Sequence, residues 1–250
     1  MPESLSLLQL ALIGICVLLT GASKTAMPVA GVVSGTVLAA TLNPTAAAGF
    51  LVPLLLVGDV IALARYRQHV QWKLIARLLP GLLVGFALAA LAFWVLQAAV
   101  LARVIGALIL ASLAMELLRR RTDRRAQQAQ GPARLQSAFF GTLAGAGSMA
   151  ANAGATAMTL YLLSMRVPML AFMGTSAWFF LFLNLAKVPI VLGLGLVTAE
   201  SLLMGLAYLP ALFAGAVLGI WVFSKMDQGV FSRVAFVVSA LAGAWLLVHG

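Results

Sequence analysis

Charge is the scarcest property of this 250-residue chain: Asp and Glu number six, Lys and Arg sixteen, and all four make up 9% of the sequence. A soluble domain needs a charged surface, and so little charge beside 63% hydrophobic residues excludes one. A single cysteine, Cys16, lies inside an apolar run and excludes a disulfide framework. The two histidines, His69 and His249, have no partners at metal-ligand spacing, so no metal or other cofactor is expected. There is no paired carboxylate, HExxH motif or nucleophile–base pair, so the chain does not read as an enzyme, and without a GxxxxGK[ST] loop a pump would need another subunit. The opening "MPESLSLLQL" has Glu3 and no basic stretch, and is expected to begin the first membrane segment rather than a cleaved leader.

What is present is one apolar run after another, with a mean hydropathy of +1.09. The chain therefore reads as an all-α, multi-pass integral membrane protein whose solvent is the lipid bilayer. Hydropathy and breakers delimit ten segments: 5–22, 27–42, 45–64, 74–96, 100–118, 136–150, 152–165, 168–190, 199–222 and 230–248. Of these, 136–150 and 152–165 are short of the roughly 20 residues a spanning helix needs, and are expected to be kinked, tilted or re-entrant.

Six of the sixteen cations fall between Arg119 and Arg134, in a loop that reads as a cytoplasmic topology determinant rather than a nucleic-acid site. Alternating ten crossings about that loop also places Arg65, Arg67, Lys73, Arg77, Arg166, Lys225 and Arg233 inside, with both termini outward. That orientation suits a cytoplasmic membrane. Glu116, Glu200 and Asp227 lie near segment ends and need no further role. With Arg103 outside, Lys24 and Lys187 alone remain as cations at membrane depth.

The sequence also matches itself. "LLPGLLVGFALAALAFWVLQAAVLARV" aligns with "YLPALFAGAVLGIWVFSKMDQGVFSRV", pairing Pro80 with Pro210, Gly85 with Gly215 and Arg103 with Arg233 at an offset of 130. Upstream, Gly21 pairs with Gly145 and Pro44 with Pro168 at 124, and Asp59 with Asn184 at 125. The expected organisation is a first repeat (1–118), a basic linker (119–135) and a second repeat (136–250). With five segments per half, the two halves are inverted, as in many secondary transporters.

The repeat sets "GASKTAMP" (Gly21–Pro28) against "GAGSMAANAGAT" (Gly145–Thr156). Their glycines and proline suggest broken helices near the midplane, tolerated where they line a wet cavity, with exposed N–H groups suited to an anion. Ser23, Thr25, Gly145, Gly147, Ser148, Asn152 and Thr156 are the candidate neutral contacts, and Lys24 the charge. The alternative is that Lys24 snorkels to an interface and the glycines serve close helix packing. Lys187, with Asn184 one turn before it, needs an anionic partner, water or substrate. Asp59 reads in three ways: counter-ion to Lys24 or Lys187, proton carrier, or interfacial residue near Arg65.

At these residues the chain resembles the TauE/SafE family of membrane transporters. The likeness rests on "GASKTAMP", on "LLLVGDVIALARYRQHVQWKLIARLLPGLLVG" and on "GTSAWFFLFLNLAKVPIVLGLGLV" with its N-x-x-K-x-P pattern. The resemblance implies two homologous halves and transport of a small anion such as sulfite, a sulfonate or a related organic acid, with site residues carried over at Lys24, Asp59, Asn184 and Lys187. The function expected is secondary transport by alternating access, with proton coupling and a homo-oligomer both open. An anion channel is the alternative.

Overall fold

In the computed structural model, residues 6–42, 44–95, 98–122, 133–151 and 154–249 are described, and among them the chain is helical throughout, without strands. The helix starts are written in the sequence. Ser6 caps α1 (Leu7–Ala26) in a reciprocal capping box with Gln9, and Thr198 caps α9 (Ala199–Ser224) the same way with Ser201. Pro28 ends α1, because the residue before a proline is pushed out of the helical region and Met27 is accordingly extended. A 3-10 turn, Pro28–Ala30, then leads into α2 (Gly31–Leu42). The remaining helices are α3 (Pro44–Tyr66), α4 (Trp72–Val95), α5 (Ala98–Thr122), α6 (Ala133–Ala151), α7 (Gly154–Ser164), α8 (Met169–Gly193) and α10 (Gln228–His249). Helix α8 closes with Gly195 at φ 65, where the amide of Leu196 returns to the carbonyl of Val191.

Among the described residues, six helices are long and apolar enough to cross a membrane: Leu7–Ala26, Ala46–His69, Trp72–Ala92, Met169–Gly193, Ala199–Ser224 and Gln228–Val248. The expectation of a short sixth segment is corrected, since α6 starts three residues earlier, at Ala133, and runs 19 residues. The short helices are α2, with 12 residues, and α7, with 11. At 1.5 Å per residue each is under about 20 Å, less than a bilayer's hydrocarbon thickness. Residues 1–5 and 123–132 lie outside the described residues, and with them the reading of Glu3 and most of the basic linker.

Two compact units divide the chain, and neither is a contiguous half: unit 1 is Met1–Val70 with Met169–Asp227, and unit 2 is Gln71–Pro168 with Gln228–Gly250. Unit 1 buries Ile13, Val17, Leu38, Leu42, Phe50, Leu54 and Leu212 in one core shared by α1, α2, α3 and α9. Its helix directions follow from contacts. Tyr208 of α9 donates its hydroxyl to the Leu10 carbonyl near the start of α1, and Thr25 near the end of α1 donates to the Ala216 carbonyl, so α1 and α9 are parallel. Helix α3 runs with them, from Gly49 against the Leu196 carbonyl to Tyr66, which donates to the Thr25 carbonyl at 2.8 Å and packs edge-on against Phe223. Helix α8 runs the opposite way, starting with Gly174 against the Tyr66 carbonyl and the Val70 amide. Cysteines placed singly at His69 and Lys225 in a Cys16→Ala background should therefore be labelled from one face of the membrane, and one at Gly195 from the other; labelling of all three from one face would contradict these directions.

The closest helix contacts are made at glycines. In unit 1, a Cβ on Gly21 would strike the Leu212 carbonyl, and one on Gly215 the Leu18 carbonyl. In unit 2, a Cβ on Gly145 would strike the Leu82 carbonyl, and one on Gly85 the Thr142 carbonyl. Backbones can approach this closely only without side chains, and close approach is the main attraction available to helices in lipid, where burial of apolar surface gains nothing over the tails. Gly21 and Gly145 thus sit inside continuous helices, α1 and α6, and serve helix packing rather than breaking the chain. Large apolar side chains stay exposed around both units, among them Leu83, Leu91, Leu203, Val217, Trp221 and Leu241, as a lipid-facing surface requires.

Candidate functional site

Three charged side chains come from three helices of unit 1: Lys24 in the last turn of α1, Asp59 within α3 and Lys187 within α8. Lys24 Nζ donates to Asp59 Oδ1 at 2.6 Å, and Asn184 Nδ2 donates to Asp59 Oδ2 at 2.6 Å. Lys24 is 9% exposed and Asp59 1%, so the pair is a buried one. The carboxylate is bound at both oxygens, which is what burial of an ion demands. The ammonium also stands 5.2 Å from the centre of the Phe180 ring, in cation–π range.

Local sequence makes this possible. Gly58, just before Asp59, presents no side chain, and the stem of Lys24 lies against it; a Cβ there would come within 3.0 Å of Lys24 Cγ. Phe180 and Asn184 are four residues apart and so share a face of α8, with Lys187 further along the same stripe. Lys187 is half-buried and within electrostatic reach of both Asp59 and Lys24. With all three groups ionised the cluster carries one net positive charge.

The other candidates divide. Ser23 donates to the Thr20 carbonyl at 2.8 Å and lies against Gly31, so its hydroxyl is used within α1 and at the turn into α2. Thr25 donates to the Ala216 carbonyl at 2.8 Å, and its place against Gly219 makes it a link between α1 and α9. Gly145, Gly147 and Ser148 belong to α6 of unit 2, all three buried, with Ser148 against Gly154 at the turn into α7. Asn152 lies outside the described residues. The structure therefore brings together Lys24, Asp59 and Asn184, with Lys187 close by. Asp59 is thus paired with Lys24, and the Lys24 ammonium is held inside against it.

Sequence reasoning missed Phe180, Gly58 and Tyr66. Helical spacing from Asn184 points to Phe180, and the glycine of "VGD" to Gly58; nothing in the sequence marks the hydrogen bond from Tyr66 to Thr25.

Unit 2 has a cavity of about 280 Å³ between α5, α6, α7 and α10. Its walls are mostly apolar, including Leu108, Phe139, Phe140 and Leu163, and its one charged group is the Glu116 carboxylate. A carboxylate repels an anion, so this cavity is not a counterpart of the cluster in unit 1.

The family model described as sulfite exporter TauE/SafE matches residues 11–246. No curated protein and no solved structure matches the chain.

Proposed function

The chain belongs to the TauE/SafE sulfite exporter family, and from that premise we propose that it is a secondary carrier moving sulfite or a related small sulfur oxyanion across the cytoplasmic membrane by alternating access. The observation that carries this reading is the buried Lys24–Asp59–Asn184 cluster. Its ammonium already has an anionic partner, so a substrate anion must take the place of the Asp59 carboxylate. A carboxylate stripped of its cation in a buried site is costly in its ionised form and is relieved by taking up a proton. Anion binding at Lys24 is thereby linked to proton binding at Asp59, and Lys187 adds positive charge for the anion.

We infer also that the two halves are inverted duplicates. Two packing details support this. Gly21 on Leu212 and Gly215 on Leu18 in unit 1 have the same pairing as Gly145 on Leu82 and Gly85 on Thr142 in unit 2, at the offsets 124 and 130 of the sequence alignment. Asp59 and Asn184, matched at offset 125, hydrogen-bond each other, as residues on a pseudo-two-fold axis do. On this reading the basic end of unit 1, with Arg65 and Lys225, faces the cytoplasm.

Proteoliposomes holding the full chain test the function. Sulfite loaded on one side should drive saturable counterflow of labelled sulfite; flux that never saturates and shows no counterflow would indicate a channel, and no flux with sulfite, sulfonates or thiosulfate would remove the reading. For the coupling, Asp59→Asn should leave a flux that no longer responds to an imposed pH gradient, whereas the wild type responds; equal responses would dismiss Asp59 as the proton site.

A further inference from the structure

Serine and threonine hydroxyls inside a helix commonly donate to a carbonyl one turn back. Thr20 does so to Cys16, Thr175 to Ala171 and Ser239 to Ala235. Ser176 does not. Its side chain is 1% exposed and its Oγ has no hydrogen-bond partner. A buried hydroxyl in that condition is a net loss for the fold unless something else completes it.

The position of Ser176 shows what could complete it. Ser176, Phe180 and Asn184 recur at four-residue intervals, on one stripe of α8. Phe180 underlies the Lys24 ammonium and Asn184 holds Asp59, so the orphan hydroxyl is one helical turn along from the ring that carries the cation. The segment before it is fixed, because Gly174 backs onto the Tyr66 carbonyl and Val70 amide and Thr175 is tied to Ala171. Thr156 in unit 2 is a second buried, unpartnered hydroxyl, but α7 carries no charged residue to accompany it.

We propose that Ser176 is a substrate contact that sets selectivity: its Oγ donates to one oxygen of the bound anion while Lys24 Nζ holds another, across the face of Phe180. The ligand class this favours is an oxyanion with at least two free oxygens on one centre, such as sulfite or a sulfonate head group. A monatomic anion reaches only one of the two donors. The inference rests on the carrier reading above and adds to it a residue and a basis for discrimination.

The test is binding to the purified full-length protein, with sulfite, methanesulfonate and chloride as probes, for wild type and Ser176→Ala. Loss of a hydrogen bond to a charged ligand should weaken sulfite binding about tenfold or more. Chloride binding should change little, so the sulfite-to-chloride ratio falls. The ligand-free melting temperature should equal or exceed that of the wild type, since the variant removes only an unsatisfied group. Sulfite affinity within twofold of wild type, with the ratio unmoved, overturns the role of Ser176 and leaves the carrier reading standing. A ligand-free variant that melts several degrees lower overturns it as well, by showing that the hydroxyl has a structural partner. Failure of wild type to bind any sulfur oxyanion overturns both.

Discussion

Lys24→Ala is expected to stop transport and to destabilise unit 1 together. Removing one partner of a buried ion pair leaves an uncompensated charge, here the Asp59 carboxylate at 1% exposure, at a cost of about 3–5 kcal/mol. Asn184 still donates to one carboxylate oxygen, but a neutral amide does not replace an ammonium. Adding Asp59→Asn removes the stranded charge, so the double variant should regain most of the stability, measured by thermal unfolding in detergent. Transport is the deciding measurement: on the proposed carrier reading it should stay off, because the cation that would meet the substrate is gone. A double variant that transports would make Lys24 a counter-ion only, and the substrate-binding role would be withdrawn.

Substitution at the glycine crossings should have the other large effect. Gly21→Val and Gly215→Val each place a branched side chain where a Cβ alone meets backbone of the partner helix. Overpacking of this kind costs about 1–3 kcal/mol, and more where neither side can yield. Gly145→Val and Gly85→Val, with the same pairing in unit 2, should cost about as much as their counterparts. Gly35 in α2 is the control: nothing lies within 4 Å of its Cβ position, so Gly35→Ala should stabilise the helix by about 0.5–1 kcal/mol. Fully folded, active Gly21→Val protein would show that α1 and α9 do not depend on close approach.

These contrasts mark where the sequence was informative. Segment positions were legible because apolar runs and prolines are local signals: Pro28 and Pro168 bound helices as a proline's steric clash dictates. The pairing of Lys24 with Asp59 was legible as one of a few options, since so few charges lie inside the helices. Gly21 was ambiguous for a physical reason. A glycine weakens a helix and also permits close approach, and only the partner backbone decides which matters. The start of α6 is hidden from hydropathy because Arg134 is charged and interrupts the apolar run, although arginine and Ala133 before it are good helix formers. The orphan state of Ser176 depends on a rotamer and on what surrounds it, neither of which is encoded in spacing.

The interleaving of the two units bears on how the protein is made. Lys24 and Asp59 are 35 residues apart and can meet as soon as α3 is in place, whereas Thr25 finds its α9 acceptor across 191 residues. At synthesis rates of about 5–20 residues per second, α1 waits on the order of ten seconds or more for α9. During that interval the Leu18–Gly21 face of α1 lacks its α9 partner, and any pair that Lys24 and Asp59 form still lacks Asn184, 125 residues beyond Asp59. The nascent chain is then most exposed to wrong helix pairings and to membrane quality control. Variants that slow completion of α8 and α9 should lower yield in cells even where the finished protein is fully stable.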